Sequence, residues 1–88
     1  MTTPLGLGLI GAGGFGAFCL AAFGEMSEVA VVAVADVDEA RAAQIARPGA
    51  RVHADYKALL ADPAVDIVHI ATPPALHGRM AREAAAKA

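Results

Sequence analysis

The 88 residues predict an α/β fold, a parallel sheet with helices packed on its faces. Short apolar runs alternate with helix-patterned segments four times along the chain. The connections between them are brief, as right-handed β-α-β units require. One run, Val29–Ala35 "VAVVAVA", is apolar at every position. A strand covered on both faces reads this way, and parallel sheets make such strands.

The elements follow in order. Leu5–Ile10 is an apolar run stopped by Gly11, a short buried strand. A helix runs from Gly14 to about Gly24, with Phe15, Cys19, Ala22, Phe23 and Met26 as its expected apolar stripe. Cys19 on that stripe is expected to pack. Ser27-Glu28 breaks the pattern before the Val29–Ala35 strand, which ends at Asp36. Asp38 is placed to cap a helix through Ala40, Ala43 and Ile45, and Pro48-Gly49 stops it. Arg51–Ala54 "RVHA" is a weak strand, and Asp55 caps the brief helix "YKALLA". Asp62-Pro63 turns the chain into a strand over Asp66–Ala71, "DIVHIA". Thr72-Pro73-Pro74 ends that strand, and Ala75–Lys87 is helical. His69 alternates inside an apolar strand and reads as a neutral, partly buried side chain. His53 has no evident metal partner, and Tyr56, Lys57, Arg79 and Arg82 read as helix-surface residues.

Composition narrows the function classes. Seven Lys and Arg stand against nine Asp and Glu, with no basic cluster, so a nucleic-acid or anionic-membrane partner has no electrostatic support. A single cysteine forms no internal disulfide, no Cys/His spacing suits zinc, and a reducing cytoplasm fits. The first 24 residues carry no charge, yet seven are glycine and no Lys or Arg flanks them, which argues against a membrane span or a signal peptide. The chain is 57% apolar. A domain of this size hides only roughly 60–65% of its unfolded surface, so some apolar surface is expected to await covering.

The junction between the first strand and helix carries Gly11-x-Gly13-x-x-Gly16. A pyrophosphate needs backbone N–H groups aimed at it and no side chain in the way. The first glycine makes the turn, the second admits the diphosphate, and the third lets helix and strand pack closely. The helix N-terminus behind them adds unpaired donors and partial positive charge. Asp36 follows at the end of the second strand, 20 residues after Gly16, where a carboxylate would hold ribose hydroxyls. The structural alternatives are a plain glycine turn and a strand-end or helix-cap carboxylate. A Walker loop is excluded because no lysine occurs before Lys57, and a methyltransferase-type Gly-x-Gly-x-Gly because position 15 is Phe15. A carboxylate accepts from a free 2′-hydroxyl and repels a 2′-phosphate. No Arg follows Asp36 at once, since Val37 and Asp38 do, so NAD is expected over NADP.

The stretches "LGLIGAGGFGAF", "VAVADVDEARA" and "DYKALLADPAVDIVHIATPPALH", with the alanine-rich helix after them, resemble the N-terminal domain of the Gfo/Idh/MocA oxidoreductases. That family includes glucose–fructose oxidoreductase, inositol 2-dehydrogenase and related sugar dehydrogenases. The resemblance runs from Leu5 to Ala88 and implies an incomplete Rossmann-like domain of about four strands and four helices. It implies cofactor contacts from Gly11, Ala12, Gly13, Gly14, Phe15, Gly16 and Asp36. The Thr-Pro turn adds Ala71, Thr72, Pro73 and His77, near the nicotinamide half; for His77 a plain surface role is the alternative. The family's catalytic Lys, in a Glu-Lys-Pro motif, and its catalytic His are expected beyond Ala88, and Lys87 is not read as catalytic. The whole chain, 1–88, is thus expected to be one partial dinucleotide-binding domain, its C-terminal substrate domain absent and its own turnover weak or nil. Hydride transfer to or from a sugar or polyol is expected of the full-length enzyme, a homo-oligomer. A small non-catalytic dinucleotide module, a nonfunctional truncation and a flavin domain are the alternatives, the last disfavoured by the Thr-Pro-Pro turn.

Overall fold

The computed structural model describes residues 3–46, 48–72 and 74–87, without the side chains of 74–77 and 87. The chain alternates strictly: β1 (Leu5–Ile10), α1 (Gly14–Phe23), β2 (Val29–Ala35), α2 (Glu39–Ile45), β3 (Arg51–His53), α3 (Tyr56–Leu60), β4 (Ile67–Ile70) and α4 (Pro74–Lys87). All strand pairs are parallel, in the order β3-β2-β1-β4. The chain therefore moves outward from β1 to β3 and then returns to the other side of β1 for β4. A parallel α/β sheet binds ligands where its strand order reverses in this way, beyond the carboxyl ends of the strands.

Consecutive residues of each strand feed opposite faces. On one face Leu9 and Val34 pack with Ala12, Leu20 of α1 and Ala42 of α2. On the other, Ile10, Ala33 and Ala35 pack with Leu59 and Leu60 of α3, Val65 and Met80 of α4. The closeness of α3 is set by glycine: a Cβ on Gly8 would lie 2.7 Å from Leu59 Cδ2. The five-residue α3 can thus bury Leu59 completely.

Two expectations are corrected here. The α1 stripe is not the predicted one: Gly16, Cys19 and Leu20 face the sheet, Phe23 is half-buried, and Phe15, Ala22 and Met26 are exposed. Every residue of α1 is apolar or glycine, so periodicity alone selects no face. The absence of a side chain at Gly16 selects it by letting that side approach β1. Likewise β2 is fully buried only at Ala33–Ala35; its first half is partly open, with Ala30 exposed.

Aspartates tie the loops at the amino ends of the strands. Asp66 accepts from Gly6 N–H at 2.8 Å and donates its own N–H back to the Gly6 carbonyl at 2.7 Å. Asp62 is buried, and its Oδ1 accepts from Arg51 Nη1 at 2.5 Å and Ala64 N–H at 3.0 Å, while His53 Nε2 lies 3.4 Å from Oδ2. Its carboxyl is held at about 2 against an ordinary 3.8, chiefly by the Ala64 N–H and then by Arg51, with burial opposing them. A depressed pKa means that stability is present above the unfolded value and lost as pH falls through the folded one. Asp62→Asn is therefore expected to cost about 1–3 kcal/mol near neutrality. In urea denaturation its deficit against wild type should shrink between pH 4 and about 2. A deficit that stays constant over that range would show that the carboxylate charge contributes nothing.

Candidate site at the carboxyl edge of the sheet

β1 ends at Ile10, and the next residue adopts φ +100°. Glycine is the residue that takes this conformation without strain, so Gly11 makes the turn out of the strand. Its N–H donates to the Ala35 carbonyl at 2.8 Å, which locks the turn to the end of β2. Gly16 then brings α1 down onto the loop, where a Cβ would collide with the Gly11 carbonyl oxygen. Gly13 differs from both. Its φ is −74°, open to any residue, and a Cβ there would meet only Arg41 Nη1, at 4.0 Å. Nothing in the protein requires a glycine at 13, yet the space in front of it is clear.

The helix caps point the same way. Asp38 caps α2 by accepting from Arg41 N–H at 3.2 Å, and Asp55 caps α3 by accepting from Lys57 N–H at 2.9 Å. The N-cap of α1 is Gly13, which has no side chain to offer. The first-turn N–H groups of α1 are left directed at the open space. They form a ready anion site at the one helix that follows the glycine loop.

Asp36 stands across the loop, half-buried just past β2. Its Oδ2 accepts from Ala12 N–H at 2.8 Å and its Oδ1 from Asp38 N–H at 2.9 Å. A carboxylate offers about four acceptor sites, so each oxygen keeps capacity for a further donor. Burial would push this carboxyl up. The Asp38 and Ala12 N–H groups and the nearby Arg41 guanidinium outweigh it and hold the pKa below the ordinary value.

Between these elements lies a cavity of about 240 Å³ lined by Ile10, Gly11, Ala35, Asp36, Val37, Arg41, Ala54, Tyr56, Thr72 and Met80. Gly11 and Ala12 are buried at its base; Gly14 and Phe15 are exposed at the head of α1. Ala71 and Thr72 are half-buried past β4. Ala71 N–H donates to the Ile10 carbonyl at 2.8 Å, and Thr72 Oγ1 donates to Met80 Sδ at 3.3 Å. Pro73 and the side chain of His77 lie outside the described residues.

Three cavity residues escape a reading of the sequence. Arg41 sits one turn into α2 and reaches the space beside Gly13 and Asp36. Its spacing of three residues from the Asp38 cap is the signal, because the first turn of α2 starts beside the end of β2. Tyr56 is half-buried against the α3–α4 side of the core and lines the cavity, which corrects its reading as a surface residue. Met80 reaches the cavity from α4, its sulfur fixed by Thr72.

Comparison with known proteins agrees with this geometry. Residues 5–88 match the GFO_IDH_MocA family model, described as an oxidoreductase family with an NAD-binding Rossmann fold. An uncharacterised oxidoreductase of Bacillus subtilis (strain 168) is 31% identical over 87 residues, which are 97% of this chain and 26% of that protein. A 3-ketoreductase from Actinomadura kijaniata, solved with NADP, is 28% identical with a TM-score of 0.91, over 97% of this chain and 28% of its own. Myo-inositol dehydrogenase from Lactobacillus casei, solved with NAD(H) and myo-inositol, is also 28% identical, with a TM-score of 0.86, over 93% of this chain and 25% of its own. The chain thus spans about a quarter of the length of these relatives. A glycine loop closed onto β1, a carboxylate across it and a family match over nearly every residue make one case: the chain belongs to the Gfo/Idh/MocA oxidoreductases and carries their NAD-binding Rossmann fold.

Proposed function

We propose that this chain binds NAD at the carboxyl edge of its sheet, as the cofactor portion of a dehydrogenase acting on a CH–OH group of a sugar or polyol. The observation that carries this is the uncapped head of α1 at Gly13, clear of side chains, next to a loop whose Ala12 N–H is held by the Asp36 carboxylate. Gly6 and Gly8, by contrast, serve internal packing, closed against the Ala64 carbonyl and the Leu59 side chain. The residues fit the cofactor. The loop N–H groups of Gly13 to Gly16 would take the diphosphate, and the spare lone pairs of Asp36 would accept from the ribose hydroxyls. The adenosine half would occupy the cavity between Asp36, Arg41 and Tyr56. Thr72 and the segment through Pro73 and His77 would serve the nicotinamide side.

NAD supplies the hydride chemistry when bound. The chain's own share is to hold the dinucleotide, orient it through fixed backbone donors, and keep a negative charge at the ribose that disfavours a 2′-phosphate. The proton-transfer groups and the substrate pocket belong to other parts of a full-length enzyme, which works in the cytoplasm as a homo-oligomer. A sugar or polyol is favoured by the myo-inositol bound in the structural relative. Calorimetric titration with NAD, NADP and FAD tests the reading. NAD should bind tightest, with NADP weaker and FAD silent. Tighter FAD, or no binding of any dinucleotide to folded protein, would overturn it.

A further inference from the structure

Among the described residues lining the cavity, Asp36 is the one carboxylate and Arg41 the one cation. No Arg or Lys directly follows Asp36 in the sequence, but the first turn of α2 brings one back to the same cavity. Arg41 N–H is taken by the Asp38 cap, so the guanidinium is what Arg41 can offer a ligand. That guanidinium makes no hydrogen bond or ion pair among the described residues. Its Nη1 stands 4.0 Å from where a Cβ on Gly13 would be. Asp36 Oδ2 accepts from the N–H of Ala12, the residue just before Gly13. Carboxylate and guanidinium therefore flank consecutive residues of the glycine loop. The carboxylate is pinned at both oxygens, by Ala12 and Asp38. Arg41 is exposed on a long flexible stem, so its head can move to meet a ligand.

We propose that Arg41 is a specificity-determining residue: its guanidinium receives the 2′-phosphate of NADP, so the site accepts NADP as well as the preferred NAD. The inference rests on the NAD reading above. With the ribose hydroxyls on Asp36, a group on the 2′-oxygen lies between the pinned carboxylate and the Arg41 side of the loop. The planar fork of guanidinium N–H donors matches phosphate oxygens, and here it has no protein partner to give up first. The Asp36 charge repels the phosphate and the Arg41 charge attracts it, so discrimination against NADP is moderate rather than absolute. The diphosphate makes no such demand on Arg41, since the uncapped head of α1 and the loop N–H groups would already meet it.

NAD and NADP are titrated calorimetrically into wild type, Arg41→Gln, Arg41→Lys, Asp36→Ala and the double variant Asp36→Ala/Arg41→Gln, with circular dichroism as the check on folding. Wild type is expected to bind both cofactors, NADP more weakly. Arg41→Gln should weaken NADP about tenfold or more beyond any loss of NAD, as the loss of a charge-assisted hydrogen bond implies. Arg41→Lys, which keeps the charge without the fork, should recover part of that loss. Asp36→Ala alone should bring NADP level with NAD, and adding Arg41→Gln should take that gain away. Salt gives a second readout. In Arg41→Gln only the repulsion from Asp36 is left to be screened, so added salt should narrow the preference for NAD there. Equal losses of both cofactors in Arg41→Gln would place Arg41 on a part they share, such as the diphosphate, and overturn the proposal. So would a double variant that keeps the full NADP gain of Asp36→Ala. Wild type that binds NAD but no NADP defeats only the role of Arg41. Wild type that binds neither defeats the NAD reading and this inference together.

Discussion

Gly16→Ala and Gly13→Ala are expected to part company in stability while both lose the cofactor. The methyl group at 16 would be driven into the Gly11 carbonyl, a backbone atom that cannot step aside without moving the turn at φ +100°. Overpacking of this kind costs about 1–3 kcal/mol. A chain of this length has a total stability of only about 4–13 kcal/mol, so the urea midpoint should fall visibly. At 13 the same methyl meets open space and Arg41 at 4.0 Å. Reduced freedom of the unfolded chain favours alanine by about 0.4–1 kcal/mol. Alanine is also a poorer N-cap than glycine, which opposes that gain. The two effects leave the midpoint of Gly13→Ala near wild type. NAD affinity should nonetheless drop tenfold or more in Gly13→Ala, a cost of about 1–3 kcal/mol for a methyl group set where the diphosphate approaches. A Gly13→Ala protein that keeps wild-type NAD affinity would remove the main support for the phosphate-loop reading. A Gly16→Ala protein of unchanged stability would show that α1 does not rest on the loop as described.

The glycines and Asp36 were legible because each answers a local demand that sequence spacing records. Gly11 sits at a strand end and needs a positive φ; Asp36 ends a strand and stands beside the loop in any β-α-β unit. Arg41 and Tyr56 were not legible because their placement depends on how α2 and α3 lie over the sheet. Arg41 follows Asp36 by five residues, too far to count as its neighbour until the Asp38 cap fixes where α2 begins. Tyr56 looks like the exposed start of a short helix. It is drawn inward because Leu59, on the same five-residue helix, packs directly onto Gly8 of β1. The α1 face was misread for the opposite reason: with every position apolar or glycine, there was no polar side to mark solvent. Phe15 and Phe18 remain 63% and 70% exposed, so the surplus of apolar residues noted in the composition is found on the surface of α1.

Asp36→Ala is expected to change which nicotinamide cofactor the site prefers. In the wild type the carboxylate accepts from Ala12 and Asp38, and its spare lone pairs face the cavity. Hydrogen bonds to a charged group contribute about 1.5–3 kcal/mol each, so the loss of the ribose contacts should weaken NAD about 10–100-fold. The same change removes the negative charge that repels a 2′-phosphate and leaves Arg41 without its nearby carboxylate. NADP should therefore lose much less and draw level with NAD or pass it. The variant also strips Ala12 N–H of its acceptor, which loosens the loop, but both cofactors share that loop. The ratio of the two affinities cancels the shared damage, and it is the ratio that tests the assignment. The pH dependence follows from the direction of the shift. Because the Asp36 pKa is lowered, the charge persists as pH falls through the ordinary carboxylate range, and the wild-type preference for NAD should persist with it. An Asp36→Ala protein with an unchanged NAD-to-NADP ratio would leave the carboxylate a purely structural part, bracing the loop against the end of β2.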